Sequence, residues 1–379
     1  MSNIAINITE NGTTTLATAG KYCDRNIDVT VDVAGSGGGG VEVEPIVLTG
    51  NCQKACSGAV ASKYIELFGD TVSTEEIMDA SNMFEDYQNE SIPFDINIDD
   101  NASSCQLSMC FKNCKKLKEL PKIQGNGHIY NLNDMFFGCN NLREMPDDYF
   151  DGLNFSKWAT GGAYSYSADT LFQNCHSLRS VPLQWLKNMN PQVNYSYSYF
   201  YLCFDYCVSL DELINLPIPY TATWSGNGFY DTFRCCYRLK DITFQTNEDG
   251  TPLETQWKKQ TIDLTIQTGW GSNKSWILDY NSGITADKEV TDDATYQALK
   301  DDPDWFTCNV AYSRYNHDSA VNTINSLPDT SAYLATAGGT NTIKFKGAAG
   351  ELTDGGAINT LTEEEIAVAT AKGWTVTLS

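Results

Sequence analysis

The sequence predicts a mixed α/β repeat protein, a solenoid with irregular insertions, preceded by a small all-β N-terminal module. Three observations carry this. A frame Phe-x-x-Cys-x-x-Leu recurs at Phe111/Cys114/Leu117, Phe136/Cys139/Leu142, Phe172/Cys175/Leu178, Phe204/Cys207/Leu210 and Phe233/Cys236/Leu239. Its cysteines advance in steps of 25, 36, 32 and 29 residues, the range of solenoid repeats. Ahead of the frame, alternating isoleucines and valines precede a glycine run.

Phe, Cys and Leu at i, i+3 and i+6 predict one face of a helical or 3₁₀ turn. An apolar residue and a proline follow in the first three full copies: Leu120-Pro121, Met145-Pro146 and Val181-Pro182. Proline has no N–H for a ladder, so a short strand is expected to end there. One such unit cannot bury its own Phe and Leu; stacked copies can, with Phe over Phe and Cys over Cys. A degenerate first copy keeps Phe84 and puts Tyr87 where Cys belongs.

The extended frame, Met/Leu-Phe-x-x-Cys-x-x-Leu-x-x-apolar-Pro, resembles the BspA-like leucine-rich repeat and its bacterial surface-protein relatives. The best copies surround Cys139 and Cys175, and the match spans residues 80–245. The resemblance implies a leucine-rich-repeat solenoid that serves binding and adhesion. The segments between repeats are longer and less regular than the family's.

In chain order, residues 1–33 form the β module. Ile4, Ile6 and Ile8 alternate with polar residues, Asn11-Gly12 is a hairpin signal, and Ile27, Val29, Val31 and Val33 alternate again. This stretch resembles a short module at the head of phage and prophage tail proteins, which implies attachment to a virion. Residues 34–40, Ala-Gly-Ser-Gly-Gly-Gly-Gly, form a linker. Residues 41–80 are the expected N-terminal cap. They contain a strand around Ile46–Leu48, a turn with Cys52 and Cys56, a second strand at Tyr64–Phe68, and a capping box Ser73-Thr-Glu-Glu76. Ile77, Ala80 and Phe84 follow that box on helical spacing. The solenoid proper is 81–245, and 246–379 holds divergent repeats and a C-terminal cap. There Thr261–Ile266 reads as a strand, Asp292–Lys300 as a short helix, and Ser319–Ala335 as a helix before a strand at Thr342–Lys346. At the end, Thr362-Glu-Glu-Glu365 opens a helix that Gly373 stops ahead of a strand, Trp374–Leu378. This ending is similar to the terminal unit of many BspA-like proteins.

A net charge of −23 argues against nucleic acid and anionic membranes as partners. No apolar run nears the roughly 20 residues of a membrane span. The first eight residues have neither a basic nor an unbroken apolar region, so no secretory signal is expected. The 13 cysteines sit mostly at repeat core positions, where a thiol behaves as a small hydrophobe. The pairs Cys52/Cys56, Cys110/Cys114 and Cys203/Cys207 lack the usual two-residue zinc spacing, and Asp95–Asp100 lacks the calcium-loop glycine. Neither metal nor cofactor is expected. A disulfide framework suits shorter secreted chains. The three histidines stand apart from any nucleophile motif, His176 at a position read as solvent-exposed, and the chain is read as no enzyme.

The aromatic surplus lies between repeats. Tyr195, Tyr197, Tyr199 and Tyr201 would share one face of a strand; Tyr164, Tyr166 and Trp224 lie in similar segments. Two readings stand: rungs packed between repeats, or an exposed aromatic face for a glycan or protein on a host surface. The functional expectation is a phage or prophage virion structural protein (tail, fibre or capsid surface) displaying an adhesion domain. It would contact other virion proteins through residues 1–33 and form a homo-oligomer, a trimer by analogy. The alternatives are a bacterial cell-surface adhesin and a non-binding virion decoration or head fibre.

Overall fold

The computed structural model describes residues 45–156, 168–183, 202–216, 232–252 without 234, 235, 237 and 238, 315–346 without 340, and 361–378. It also gives the backbone of six further strands. Two of these open the chain, β1 (Ile4–Asn7) and β2 (Ile27–Val31). They pair in parallel. A two-residue hairpin joins only antiparallel strands, so Asn11-Gly12 is not the turn of a β1–β2 hairpin.

From residue 45 the chain winds into a repeat-like β-solenoid of about six turns with few helices. The first coil carries β3 (Ile46–Asn51), a turn with Cys52 and Cys56, and α1 (Gly58–Phe68). Tyr64–Phe68 is therefore helix, not strand. Ala61, Tyr64 and Ile65 are buried together, a helical stripe that alternation does not describe. Next comes β4 (Val72–Asp79), which contains the expected capping box. Parallel pairing with β3 prevails there. Thr74 turns inward, its hydroxyl donating to Asp95 O at 2.8 Å and accepting from Asn97 N at 2.7 Å, so it caps no helix.

Short strands continue the coils: β5 (Ile96–Asn97), β6 (Cys105–Gln106), β7 (Ile123–Gln124), β8 (Ile129–Asn131), β9 (Glu212–Leu216) and β10 (Asp241–Phe244). All their pairings are parallel: β3-β4-β6-β8 in one sheet, β5 with β7, and β9 with β10. No strand ends at Pro121; β7 begins two residues beyond it. Proline thus turns the chain into the strand, with its missing N–H outside the ladder.

The repeated frame is not helical either. It is a run of successive i→i+3 turns, as in Met83 N–H to Ala80 O, Glu85 N–H to Asn82 O and Tyr87 N–H to Phe84 O. Alternate turns need a residue with positive φ, supplied two before and two after each Phe. In the Phe84 coil these are Asn82 (φ 57°) and Asp86 (59°), and in the Phe172 coil Thr170 (56°) and Asn174 (62°).

Beyond β10 the described backbone includes β11 (Asp263–Gln267), β12 (Ser275–Asp279), β13 (Ile284–Ala286) and β14 (Trp305–Asn309). β12 pairs antiparallel with both β13 and β14. The expected helix at Asp292–Lys300 lies outside the described residues. The end unit comprises α2 (His317–Ser326), α3 (Ser331–Ala337), β15 (Asn341–Lys346), α4 (Glu363–Ala371) and β16 (Trp374–Leu378). The single helix expected over Ser319–Ala335 is split at Leu327-Pro328, because the residue before proline leaves the helical region (ψ 136°). The Thr362/Glu365 capping box forms with both hydrogen bonds. Gly373, at φ 84°, takes the left-handed position that ends α4. β15 lies between β11 and β16, all parallel.

This end unit closes the stack. α2 lies on β10, where Thr323 Oγ1 donates to Ile242 O at 2.6 Å and Ser326 Oγ accepts from Phe244 N at 3.0 Å. Backbone groups that another coil would pair are met by helix side chains instead.

The Tyr149 hydroxyl is buried without a partner. Tyr149 packs its ring against Phe136 and Phe150 at 6.1 and 5.1 Å. An orphaned buried polar group costs about 1–3 kcal/mol. Tyr149→Phe is therefore expected to stabilise the chain by roughly 1 kcal/mol, seen as a higher urea midpoint. A lower midpoint would show that the hydroxyl is engaged.

Candidate functional site: the ladder and the tyrosine-rich segments

The coils stack through the frame. Phe84, Phe111, Phe136, Phe172, Phe204 and Phe233 form one column whose adjacent rings lie 5.4–6.1 Å apart and within 13° of parallel. Main-chain hydrogen bonds between coils run parallel to this column. Phe84 N–H donates to Cys110 O at 2.8 Å, Phe111's to Met135 O at 2.8 Å, Phe136's to Leu171 O at 3.0 Å, Phe172's to Cys203 O at 2.8 Å and Phe204's to Thr232 O at 2.9 Å.

The cysteine column has its own chemistry. Each thiol donates to the carbonyl of the Phe in the preceding coil: Cys114 to Phe84, Cys139 to Phe111 and Cys175 to Phe136 at 3.0 Å, Cys207 to Phe172 and Cys236 to Phe204 at 3.1 Å. The other lone pair of the same carbonyl accepts the N–H three residues on, as Phe136 O does from Cys139. Cys fits because it is small, apolar enough for the core and still a weak donor. Burial pushes the thiols of Cys114, Cys175 and Cys207 well above the ordinary range, so they stay neutral donors. In the Phe84 coil Tyr87 fills this place, edge-on to Phe84 at 5.7 Å with its hydroxyl donating to Ser91 O. Leu117, Leu142, Leu178, Leu210 and Leu239 complete the column set, all buried.

Two further columns are buried beside these, the first already in the frame as the Met/Leu before Phe and only the second missed in the sequence reading. Met83, Cys110, Met135, Leu171, Cys203 and Thr232 sit one residue before each Phe, and Ala80, Leu107, Leu132 and Ala168 sit four before; all are buried. Aligning the copies on Phe, rather than reading each alone, exposes the second.

Outside, ion pairs link neighbouring coils: Lys118–Glu90 at 3.0 Å, Lys112–Asp134 at 3.7 Å and Lys240–Glu212 at 3.7 Å. Such surface pairs contribute at most about 1 kcal/mol each and bias register more than stability.

All the tyrosines proposed for binding (Tyr164, Tyr166, Tyr195, Tyr197, Tyr199, Tyr201), and Trp224, lie outside the described residues. The structure does place the ends of their segments. Ile129 N–H donates to Asn154 O, and Asp134 N–H donates to Asp169 O. From Ile129 to Asp134 the sequence advances 5 residues and from Asn154 to Asp169 it advances 15, and Tyr164 and Tyr166 fall in the longer interval. Likewise the chain runs from Pro121 to Asp134, from Pro146 to Thr170 and from Pro182 to Leu202 between equivalent points, and the last two intervals are the longer. In the sequence the extra residues fall between the proline position and the next ladder turn.

His176 is a correction. It is partly buried, and burial pulls its imidazole down to about 4. The folded pKa then lies below the unfolded one, so the unfolded chain binds the proton first as pH falls. The stability is present in full above about pH 6.5 and declines between there and pH 4. Comparing urea midpoints at pH 7 and 4.5, His176→Gln should shrink the acid loss by roughly 1–2 kcal/mol, the full linkage being discounted for partial exposure. An unchanged loss would place the imidazole in solvent.

Among the described residues no three His, Cys, Asp or Glu side chains are grouped to hold a metal. No described helix is long and apolar enough to cross a membrane. Cys52 is disulfide-bonded, against the expectation of unbridged cysteines, while the other described cysteines are thiols. Compared with family models, with curated proteins and with solved structures, the chain has no significant match.

Proposed function

We propose that this chain is a structural protein of a phage or prophage virion whose solenoid carries aromatic segments to a host surface. Other virion proteins would hold it through residues 1–33. The observation that carries this reading is the division of labour within each coil. The interior is filled by stacked phenylalanines and hydrogen-bonded thiols, which suits a scaffold. The surplus residues, rich in tyrosine, fall in sequence between the same two points of successive coils, a placement that suits display. The BspA-like frame belongs to the same reading, and a host glycan or protein is the expected ligand. A trimer is the expected assembly.

A second reading, a bacterial cell-surface adhesin, draws support from the Cys52 disulfide, since such bonds persist in oxidising surroundings. Both readings share one test. The full chain, and a variant with Tyr195, Tyr197, Tyr199 and Tyr201 changed to Ser, are titrated onto intact candidate host cells and purified envelope glycans. Saturable binding that the variant loses by at least tenfold, at an unchanged melting temperature, supports display. No binding by the folded chain points to a virion decoration without a receptor.

A further inference from the structure

We propose that the N-terminal module is the end cap of the solenoid, with β2 docked on the first coil and held there by the Cys52 disulfide. The first coil has the Phe84 coil on one side only, and a stack of repeats needs its open end shielded. The surface it would otherwise expose is apolar: a cleft lined by Ile46, Leu48, Ala55, Cys56, Tyr64 and Ile65, with no polar atom in its wall. Leu48, Cys52 and Cys56 are nevertheless buried, to 4%, 0% and 3% exposure. The occupant is named by three observations. β2 makes contact with α1, one wall of this cleft. Its sequence, Ile27-Asp-Val-Thr-Val31, alternates, so three apolar residues share one face of the strand. Cys52 is disulfide-bonded at the entrance to α1, and every other cysteine with a described side chain is a thiol.

The partner follows from position. Cysteines beyond the described side chains are Cys23, Cys235 and Cys308. Cys235 belongs to the Phe233 coil, at the far end of a column whose every step is 5.4–6.1 Å. A disulfide spans Cα atoms no more than about 7 Å apart. Cys308 lies in β14, which pairs with β12 in another sheet, whereas Cys23 precedes by four residues β2, the strand in contact with α1. The bond forms by exchange with an external low-molecular-weight disulfide: the two thiols lose two protons and two electrons, and that reagent becomes two thiols. With β2 docked in this way, whatever residues 1–33 attach to holds the solenoid at a set orientation. The inference does not depend on the adhesion reading.

The test uses the full chain. Free thiols are alkylated, and the protein is digested without reduction and mapped by mass spectrometry. The expected result is a peptide pair joining Cys23 to Cys52. Hydrogen exchange is then followed in Val29→Asp and, separately, in Cys23→Ser. In Val29→Asp, α1 amides are expected to exchange at least tenfold faster while the Phe136 coil is unchanged; Cys23→Ser gives a smaller rise. Alkylation of Cys52, its linkage to Cys235, Cys308 or a second chain, or α1 exchange unaltered in Val29→Asp would each overturn the proposal.

Discussion

Phe136→Ala is expected to destabilise the chain by about 3–5 kcal/mol, the range for deleting a buried phenylalanine. Phe136 is fully buried, stacked on Phe111 at 5.4 Å and 8° and on Phe172 at 5.4 Å and 3°, with the edges of Tyr149 and Phe150 against it. The void cannot collapse easily, because both neighbouring rings belong to coils fixed by their own backbone ladders. In a stack where each coil touches only its neighbours, the loss also weakens two interfaces at once. Phe233→Ala, at the last ring of the column, removes one stacking partner and should cost less. Urea unfolding of both variants checks the order; a loss below about 1.5 kcal/mol for Phe136→Ala would mean that the column does not carry the stack.

Gly125→Ala is expected to cost about 3 kcal/mol or more, for two independent reasons. At φ +124° the backbone there is one that residues with a side chain rarely adopt. A Cβ would also meet the carbonyl oxygen of Ile98, in the preceding coil, at 2.3 Å, and that oxygen belongs to main chain that cannot swing aside. Ile98 N–H donates to Gln124 O at 2.7 Å, so easing the clash would pull this bond apart. Gly152→Ala is the matched control, with nothing within 4 Å and no positive φ, and should lie within about 0.5 kcal/mol of the parent. Equal midpoints for the two variants would place the coils farther apart at Gly125 than described.

The ladder was legible because stacking asks the same chemistry of the same column every time. Phe needs a Phe above it, and the thiol needs the carbonyl below. The turns were not legible, because their positive-φ positions mix typical residues (Asn82, Asp86, Asn113, Gly138, Asn174) with Met109, Thr170, Leu202 and Tyr206, which seldom adopt that conformation. Here tertiary stacking overrides local preference, and a spacing of three reads as helix when it is a chain of turns. The same competition explains the first coil. Ser73–Glu76 carries a capping signature but is claimed by β3, whereas Tyr64–Phe68 alternates like a strand and packs as α1. At the end unit no such competition exists, and Thr362, Glu365 and Gly373 act as their types suggest. The tyrosine segments were visible only as composition, since nothing in their spacing repeats with the coil.

The claim beneath both the scaffold and its display role is that segments without regular secondary structure are held coil to coil by their own main chain. Hydrogen exchange of the full chain at neutral pH tests it most directly. The account predicts that the amides of Phe84, Phe111, Phe136, Phe172 and Phe204 exchange together and only through global unfolding. Exchange of these amides at the rate of exposed turns such as that of Asp249 and Gly250 would contradict it.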